Sequence, residues 1–351
     1  MQKKSFYFRS LIVFILCFFI NFSSYCQSLK DVSFGSNYSL DIISWNLEWF
    51  PKNGQNTIDS LAVVINSLNP EIIGLQEISD VSAFNSLITK LPLYEGFYSG
   101  FSNLKLAYIY KKSLTVNNIF TISGDATYNF AGRPPYCLEI EYDNKIYYIV
   151  NNHLKCCGDG ILQLSDPSDE EFRRLNAMSI IKSYIETNLD DQRVIVLGDL
   201  NDILTDNQSN NIFQDILDDT TNFYFADIDI ADGSSSNWSY PSWPSHLDHI
   251  LISNELFSMF DNDSSYIESI QIDDNLVGGF SSYDNLLSDH MPIGISLYSG
   301  TFSSLLEDSK SVKKKIVQRI NFSGKNINHI FNHPMINIYD NGDSEKVIFV
   351  K

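Results

Sequence analysis

The stretch VIVLGDLND, residues 194–202, decides how this chain reads. Val194 to Leu197 is a short unbroken apolar run, the pattern of a buried strand, and Gly198 stops it. Asp199 and Asn201 follow at once. Alone, that pair reads as a turn and helix cap, because Asp and Asn side chains bond nearby backbone N–H groups. The same event recurs along the chain, at Trp45-Asn46, Gln76-Glu77, Asn151-Asn152-His153, Leu247-Asp248-His249 and Ser288-Asp289-His290. Each has a bland explanation by itself: Glu77 as a strand-end charge, Asp248-His249 as a surface pair, His153 or His290 as a hydrogen-bonded structural histidine. Six accidents of one type are improbable. A rigid sheet aims the side chains at its strand ends into one crevice, so the six places together predict one site.

Around this stretch, strand-length and helical patterns alternate. Asp41 to Trp45 reads as a buried strand. Thr57 to Leu68 (TIDSLAVVINSL) carries apolar residues at helical spacing, with Pro70 beyond its end. Ile72 to Leu75 is a strand and Val81 to Leu91 a helix. Leu104 to Tyr110, Tyr136 to Tyr142 and Ile146 to Asn151 are strands, with Asp143-Asn144 as the hairpin turn between the last two. Glu170 to Asn188 is a helix, and His249 to Ile252 and Ile293 to Leu297 close the series of strands. Alternation with hairpins predicts a layered α/β protein with mixed, largely antiparallel sheets.

The chain has 351 residues, 44% hydrophobic and 19% charged, which excludes collagen-like, wholly disordered and disulfide-scaffold classes. Lys plus Arg number 24 against 43 Asp plus Glu, a formal net charge of −19. So acidic a protein does not grip polyanions through a broad basic surface. A phosphate substrate must meet a local cationic site, most simply a bound metal ion. Glu77, Asp199, Asn201, Asp248 and Asp289 offer hard oxygens, which suit Mg²⁺, Mn²⁺ or Ca²⁺ better than Zn²⁺. His153 and His290 offer donors to a phosphate oxygen, or proton transfer near neutral pH. Asp227, Asp229 and Asp232-Gly233 form a further acidic run whose spacing departs from an EF-hand loop.

Residues 1–26 read as a secretory signal peptide. Lys3, Lys4 and Arg9 precede an apolar run, Leu11 to Ile20, too short to span a bilayer, and a cut after Cys26 fits. The expected mature chain has no transmembrane segment. Export leaves Cys137, Cys156 and Cys157, enough for one disulfide and a spare thiol, with the pairing open. A boundary is expected near residue 300. Residues 27–300 hold 13 Lys plus Arg against 38 Asp plus Glu, whereas residues 301–351 hold 8 against 5. That change of sign marks a separate module.

The segments SWNLEW, GLQEI, GRPPYCLEI, NNHLK, LGDLND, SHLDHIL and LSDHMPI, in this order over roughly residues 40–298, resemble the endonuclease/exonuclease/phosphatase superfamily. That family includes pancreatic-type deoxyribonucleases, abasic-site endonucleases, sphingomyelinases and inositol polyphosphate phosphatases. The resemblance implies a four-layered α/β sandwich, two mixed β-sheets face to face with helices outside, over residues 27–300. It implies a secreted phosphodiesterase that uses Mg²⁺, or else Mn²⁺ or Ca²⁺, with nucleic acid as the first substrate to consider. By the same resemblance, Asn46, Glu77 and Asp289 are on the metal side. Asp199 and Asn201 orient water and contact phosphate, Asp248 pairs with His290, and His153 is the other catalytic histidine. Arg133 matches a family arginine placed for phosphate contact; from the sequence alone, Lys155, Arg173 and Arg174 are the other candidate phosphate contacts, with Lys155 otherwise a solvated lysine. Residues 301–351, with Gly324, Asn341-Gly342 and Lys351, resemble the C-terminal sorting tails of the type IX secretion pathway of Gram-negative bacteria. This implies a secretion machinery as partner and an extracellular or cell-surface location.

The substrate stays open between DNA or RNA, a sphingomyelin-like lipid and small phosphodiesters. A non-catalytic binding module on the same fold is the other class of reading. Val194 to Gly300 contains no Lys or Arg and 18 Asp or Glu, so that half supplies no phosphate clamp. Trp238, Tyr240 and Trp243 stand ahead of the LDH motif, either to stack on bases or sugars or to pack their own loop.

Overall fold

The computed structural model describes residues 28–122, 127–300 and the strand segments 316–321, 334–339 and 344–348. The expected signal peptide lies outside the described residues, as do Gly324, Asn341-Gly342 and Lys351 of the tail. The first half runs β1 (Ser39–Phe50), α1 (Gln55–Leu68), β2 (Ile72–Ile78), α2 (Val81–Thr89), β3 (Tyr94–Tyr98), β4 (Lys105–Lys111), β5 (Thr115–Thr121), β6 (Tyr136–Tyr142) and β7 (Lys145–His153). The second half runs α3 (Glu170–Asn188), β8 (Arg193–Asp199), α4 (Gln214–Leu217), β9 (Phe223–Phe225), α5 (Ile228–Ala231), β10 (Asp248–Ser253), α6 (Phe257–Phe260), β11 (Tyr266–Ser269), α7 (Phe280–Leu286) and β12 (Ile293–Tyr298). Among the described residues, no helix is long and apolar enough to cross a membrane.

Two six-stranded sheets form, in the orders β11-β12-β1-β2-β4-β3 and β5-β6-β7-β8-β10-β9. Each is mixed. β1 runs parallel to β2 and β7 parallel to β8, and the remaining pairs are antiparallel.

The alternation of side chains along each strand separates three cores. Ile42, Ile72, Tyr108, Ile149, Ile195 and Leu197 lie between the sheets. Their neighbours Ile43, Trp45 and Ile73 face outward under α1 and α2. Leu61, Val64, Ile65 and Leu68 of α1, spaced three and four apart, form the stripe that covers them. On the second sheet, Val150, Val194 and Val196 face α3 through Ala177, Met178, Ile181 and Ile185. The result is helix, sheet, sheet, helix. Caps end the helices where the sequence provides them: Asp80 accepts from Ser82 and Ala83 N–H, and Asp169 from Phe172 N–H.

The chain divides into two compact units between Phe302 and Ser303. In the second unit, β13 (Ile316–Asn321), β14 (Pro334–Tyr339) and β15 (Ser344–Ile348) pair in sequence order as an antiparallel sheet.

Candidate active site

Strand register brings the polar residues together. His153, the last residue of β7, pairs with Asp199, the last of β8, and Asp199 pairs on its other side with Asp248, the first of β10. In the first sheet Asn46 pairs with Gln76, next to Glu77. Gly198 is required at its place. Its φ is 141°, and a Cβ there would stand 2.0 Å from the Asn152 carbonyl oxygen. Beyond Asn46 and Gln76 the β1–β2 register shifts, and Glu48, Trp49 and Glu77 take positive φ values of 39°, 52° and 62°. Asn201 sits at 55°. Such backbone is costly for residues with a side chain and clusters at functional sites.

A buried amide network fastens the two sheets beneath this point. Asn151 donates to the carbonyls of Leu75 and Ala107, and Gln76 donates to Asn151 Oδ1 at 2.8 Å. The sheets approach closely here because Gly74 has no side chain: a Cβ would meet Leu197 at 2.5 Å.

Asp199 is the centre of the arrangement. Its Oδ2 accepts from Asn46 Nδ2 at 2.9 Å and lies 3.6 Å from His153 Nε2 and 3.9 Å from His290 Nε2. Its Oδ1 accepts from the Asn201 backbone N–H. Asn46 also reaches Glu77 Oε1 at 3.4 Å, while its own oxygen accepts from Glu48 N–H. As placed, the Asn46 amide therefore turns its nitrogen towards the two carboxylates. Glu77 Oε2 accepts from Trp49 N–H. His290 Nδ1 meets Asp248 Oδ2 at 2.7 Å, and its ring lies 4.8 Å from the Tyr240 ring. Asp289 N–H donates to Glu48.

The two histidines differ in charge. Burial opposes a charge on His290, but Asp248 and Asp199 outweigh it and push its pKa up to about 10. Burial, with Arg133 and His290 close by, pushes His153 well down, so it is neutral. Burial raises Asp199 to about 7 against the pull of His290. Burial also lifts Asp289 to about 6, helped by Glu48 and Glu77.

These residues open into a cleft of about 560 Å³. Glu77, His153, Asp199, Asn201, Asp289 and His290 line it; Asn46 and Asp248 stand buried behind. Arg133 and Lys155 are not part of its wall. Arg133 donates to the carbonyls of His153 and Leu154, fixing the end of β7. Lys155 bonds the Cys156 carbonyl and stands 3.6 Å from Glu170. Of the aromatics, Trp238 is tied to the Ile230 carbonyl, Tyr240 backs His290, and Trp243 is 79% exposed on the cleft wall. Sequence reading missed several members of the wall, among them Glu48, Trp49, Glu171 and Asp202; Glu48 and Trp49 are the ones nearest the metal-side carboxylates in the chain. Their signal was there, in the unbroken run Asn46-Leu47-Glu48-Trp49, but only the strand's twist past Asn46 turns them inward.

The acidic run at Asp227 does not form a calcium loop. Asp227 is fully buried and accepts from His246, His249 and Ile250 N–H. His249, read as half of a surface pair, is equally buried. Its second nitrogen meets the Asp202 carbonyl at 2.9 Å. With an acceptor at each ring nitrogen it is an imidazolium, and Asp227 raises its pKa against burial.

The sequence from residue 43 to 290 matches the model of the Endonuclease/Exonuclease/phosphatase family. No curated protein matches the chain. Solved structures with a similar fold include zebrafish (D. rerio) TDP2 complexed with single strand DNA product: 14% identity, 74% of this chain and 98% of that one, TM-score 0.57. The human Nocturnin catalytic domain with bound sulfate is similar over 74% of this chain and 92% of that one, at 15% identity and TM-score 0.53. An endonuclease/exonuclease/phosphatase from Bacteroides vulgatus is similar over 74% and 98%, at 15% identity and TM-score 0.52.

Proposed function

Because the chain belongs to the Endonuclease/Exonuclease/phosphatase family, whose members are phosphoester hydrolases, we propose that it is a divalent-metal-dependent phosphodiesterase acting on DNA or RNA as an endonuclease. The observation that carries this reading is the placement of His153 and His290 within 4 Å of the same Asp199 oxygen, beside Glu77 and Asp289.

The residues present fit a hard cation. Asp289 Oδ1 is buried with no hydrogen-bond partner, and the carboxylates of Glu48 and Glu77 crowd it. Glu77 and Asp289 would hold Mg²⁺, Mn²⁺ or Ca²⁺, with Asn46 beside them. Such an ion supplies charge neutralisation at a phosphate oxygen. Asp199, with its pKa near neutral, accepts a proton from the attacking water, and Asn201 holds that water and a phosphate oxygen. His290 stabilises negative charge as it builds on phosphorus-bound oxygen, and Asp248 keeps its ring charged and oriented. His153 hydrogen-bonds a phosphate oxygen without adding charge.

Two exposed indoles, Trp49 at 63% and Trp243 at 79%, flank this site and offer flat faces to bases. One observation favours a second reading. The cleft wall carries seven carboxylates and one guanidinium, Arg174, already bonded to Glu171 and Asp202. That suits a substrate with few charges, such as a small phosphodiester or a sphingomyelin headgroup. Export by the 1–26 segment and sorting by the 301–351 tail are part of the proposal. They are supported by the basic-then-apolar sequence of the first and the reversed charge of the second.

The test is cleavage of supercoiled plasmid and of a single-stranded oligonucleotide by the purified protein, with Mg²⁺ plus Ca²⁺ or with EDTA. Metal-dependent cleavage is expected, with His290→Ala and Asp199→Ala each losing ~10²-fold or more in rate while still unfolding in one cooperative transition, at a lowered melting temperature. Near-wild-type turnover in either variant sinks the site assignment. A folded, metal-supplied protein that cuts neither nucleic acid moves the reading to sphingomyelin and small phosphodiesters.

A further inference from the structure

Three residues after His153 the chain carries two adjacent cysteines, Cys156 and Cys157. Both are exposed, both have free thiols, and both line the cleft that holds Asp199 and His290. Their sulfurs stand 2.9 Å apart, with the Cys157 thiol directed at Cys156 Sγ. Lys155 Nζ lies 3.8 Å from the same Cys156 sulfur. Of the pair, Cys156 is the sulfur that both the Cys157 thiol and the Lys155 ammonium approach. The hydrogen bond to Cys156 raises the Cys157 pKa.

The loop is held to shape. Arg174, buried, donates to the carbonyls of Lys155 and Cys157 at 2.8 Å each, and Gly160 N–H donates to buried Glu171. Cys157 itself sits at φ 72°. A loop pinned on both sides of two touching thiols keeps them together. Cys137 is no rival partner. It is buried in the core between the second sheet and α3, and burial raises its pKa. Among the described residues, no metal-ligating group joins the two cysteines into a cluster of three.

We propose that Cys156 and Cys157 are a thiol–disulfide exchange site that closes to a vicinal disulfide and reshapes the wall of the cleft. The oxidant is a low-molecular-weight disulfide, R–S–S–R. The Cys156 thiolate attacks one of its sulfurs, the S–S bond breaks, and one RS⁻ leaves. Cys157 loses its proton to solvent and attacks Cys156 Sγ, and the second RS⁻ leaves. The two thiolates released take up the two protons. Two protein thiols and one disulfide become one protein disulfide and two RSH. The new ring takes in the Cys156 carbonyl and the Cys157 Cα, so closure turns the Cys157 carbonyl that hangs on that Cα and that Arg174 holds. Arg174 also holds Asp202, the neighbour of Asn201, which carries the change to the site.

The experiment incubates the reduced full chain with oxidised glutathione, alkylates the remaining thiols and maps the cysteine peptides by mass. The expected product is a peptide bearing Cys156 and Cys157 that is lighter by two hydrogens and carries no glutathione. Cys137 should be alkylated only after denaturation. In Cys157→Ser, glutathione should remain on Cys156. Retained glutathione on the wild type, unreacted thiols, or a bond to Cys137 overturns the exchange site. A second arm compares turnover before and after oxidation. A several-fold change reversed by a dithiol, and absent in the Cys156→Ser/Cys157→Ser double variant, is expected. An oxidised protein with unchanged turnover overturns the coupling to the cleft. The mass readout stands whether or not the protein cleaves phosphoesters, so failure of the two readings is distinguishable.

Discussion

His153 and His290 approach the same oxygen of Asp199, and their surroundings give them opposite charges. Burial strips His153 of its proton, whereas Asp248 at 2.7 Å keeps one on His290. His249 shows the same rule in a structural setting: Asp227 raises it, and is itself lowered by it against burial. The two shifts give opposite pH limits. Asp227 contributes stability above its ordinary pKa of 3.8 and loses it as pH falls through the lowered folded value. His249 contributes fully below 6.5 and loses its share as pH rises through the raised folded value. The pair is therefore at full strength between about pH 4 and 6.5. His249→Phe should cost about 3–5 kcal/mol there, since it leaves a buried carboxylate short of its cation. Melting temperatures of wild type and variant from pH 5 to 9 check this: the gap should narrow as pH rises. A gap that is constant or widens above pH 7 refutes it.

At the scale of elements, β8 carries most of the information. Its alternate residues face two different cores, so one apolar run is packed from both sides, and its end delivers Asp199 to His153 and Asp248 by register alone. Gly198 makes that delivery possible. Gly198→Ala should destabilise the protein by ~1–3 kcal/mol, because the added methyl meets backbone atoms of β7 that have nowhere to go. Activity should fall further than stability, since the same push displaces Asp199. Denaturant unfolding and turnover on the same variant check both parts, and normal values for the two would refute the close approach. The principal strands and helices were legible from apolar periodicity. β3, β5, β9 and β11 were not. All four end their sheets and all are short or half-exposed, so no alternating pattern marks them. Pairing with a neighbour is what makes them strands.

At the scale of the whole molecule, charge sets how a substrate is held. Residues 194–300 contribute acids and no Lys or Arg, and the one guanidinium on the cleft wall is engaged. Each phosphate neutralised by a protein cation adds about 0.9 to the slope of log affinity against log salt on B-DNA. With His290 the one cationic group offered to phosphate and no free Lys or Arg lining the cleft among the described residues, that slope should stay below about 2 for any nucleic acid this protein binds. Binding measured at fixed divalent metal over a range of monovalent salt checks it. A steep slope would require a basic surface elsewhere on the molecule.

The sequence by itself determined the layered α/β class, the principal strands and helices and the six polar strand ends, because these depend on local periodicity and on residue types that a core excludes. It left open what each polar residue does. Tertiary structure decided that Asn46 bridges two carboxylates, that Arg133 spends its donors on backbone carbonyls, that Asp227 and His249 form a buried ion pair, and that Glu48 and Trp49 enter the cleft. A side chain's partner and charge depend on what lies opposite it in space, and here Asn46 finds Asp199, 153 residues further along the chain, and Glu48 finds Asp289, 241 residues further along.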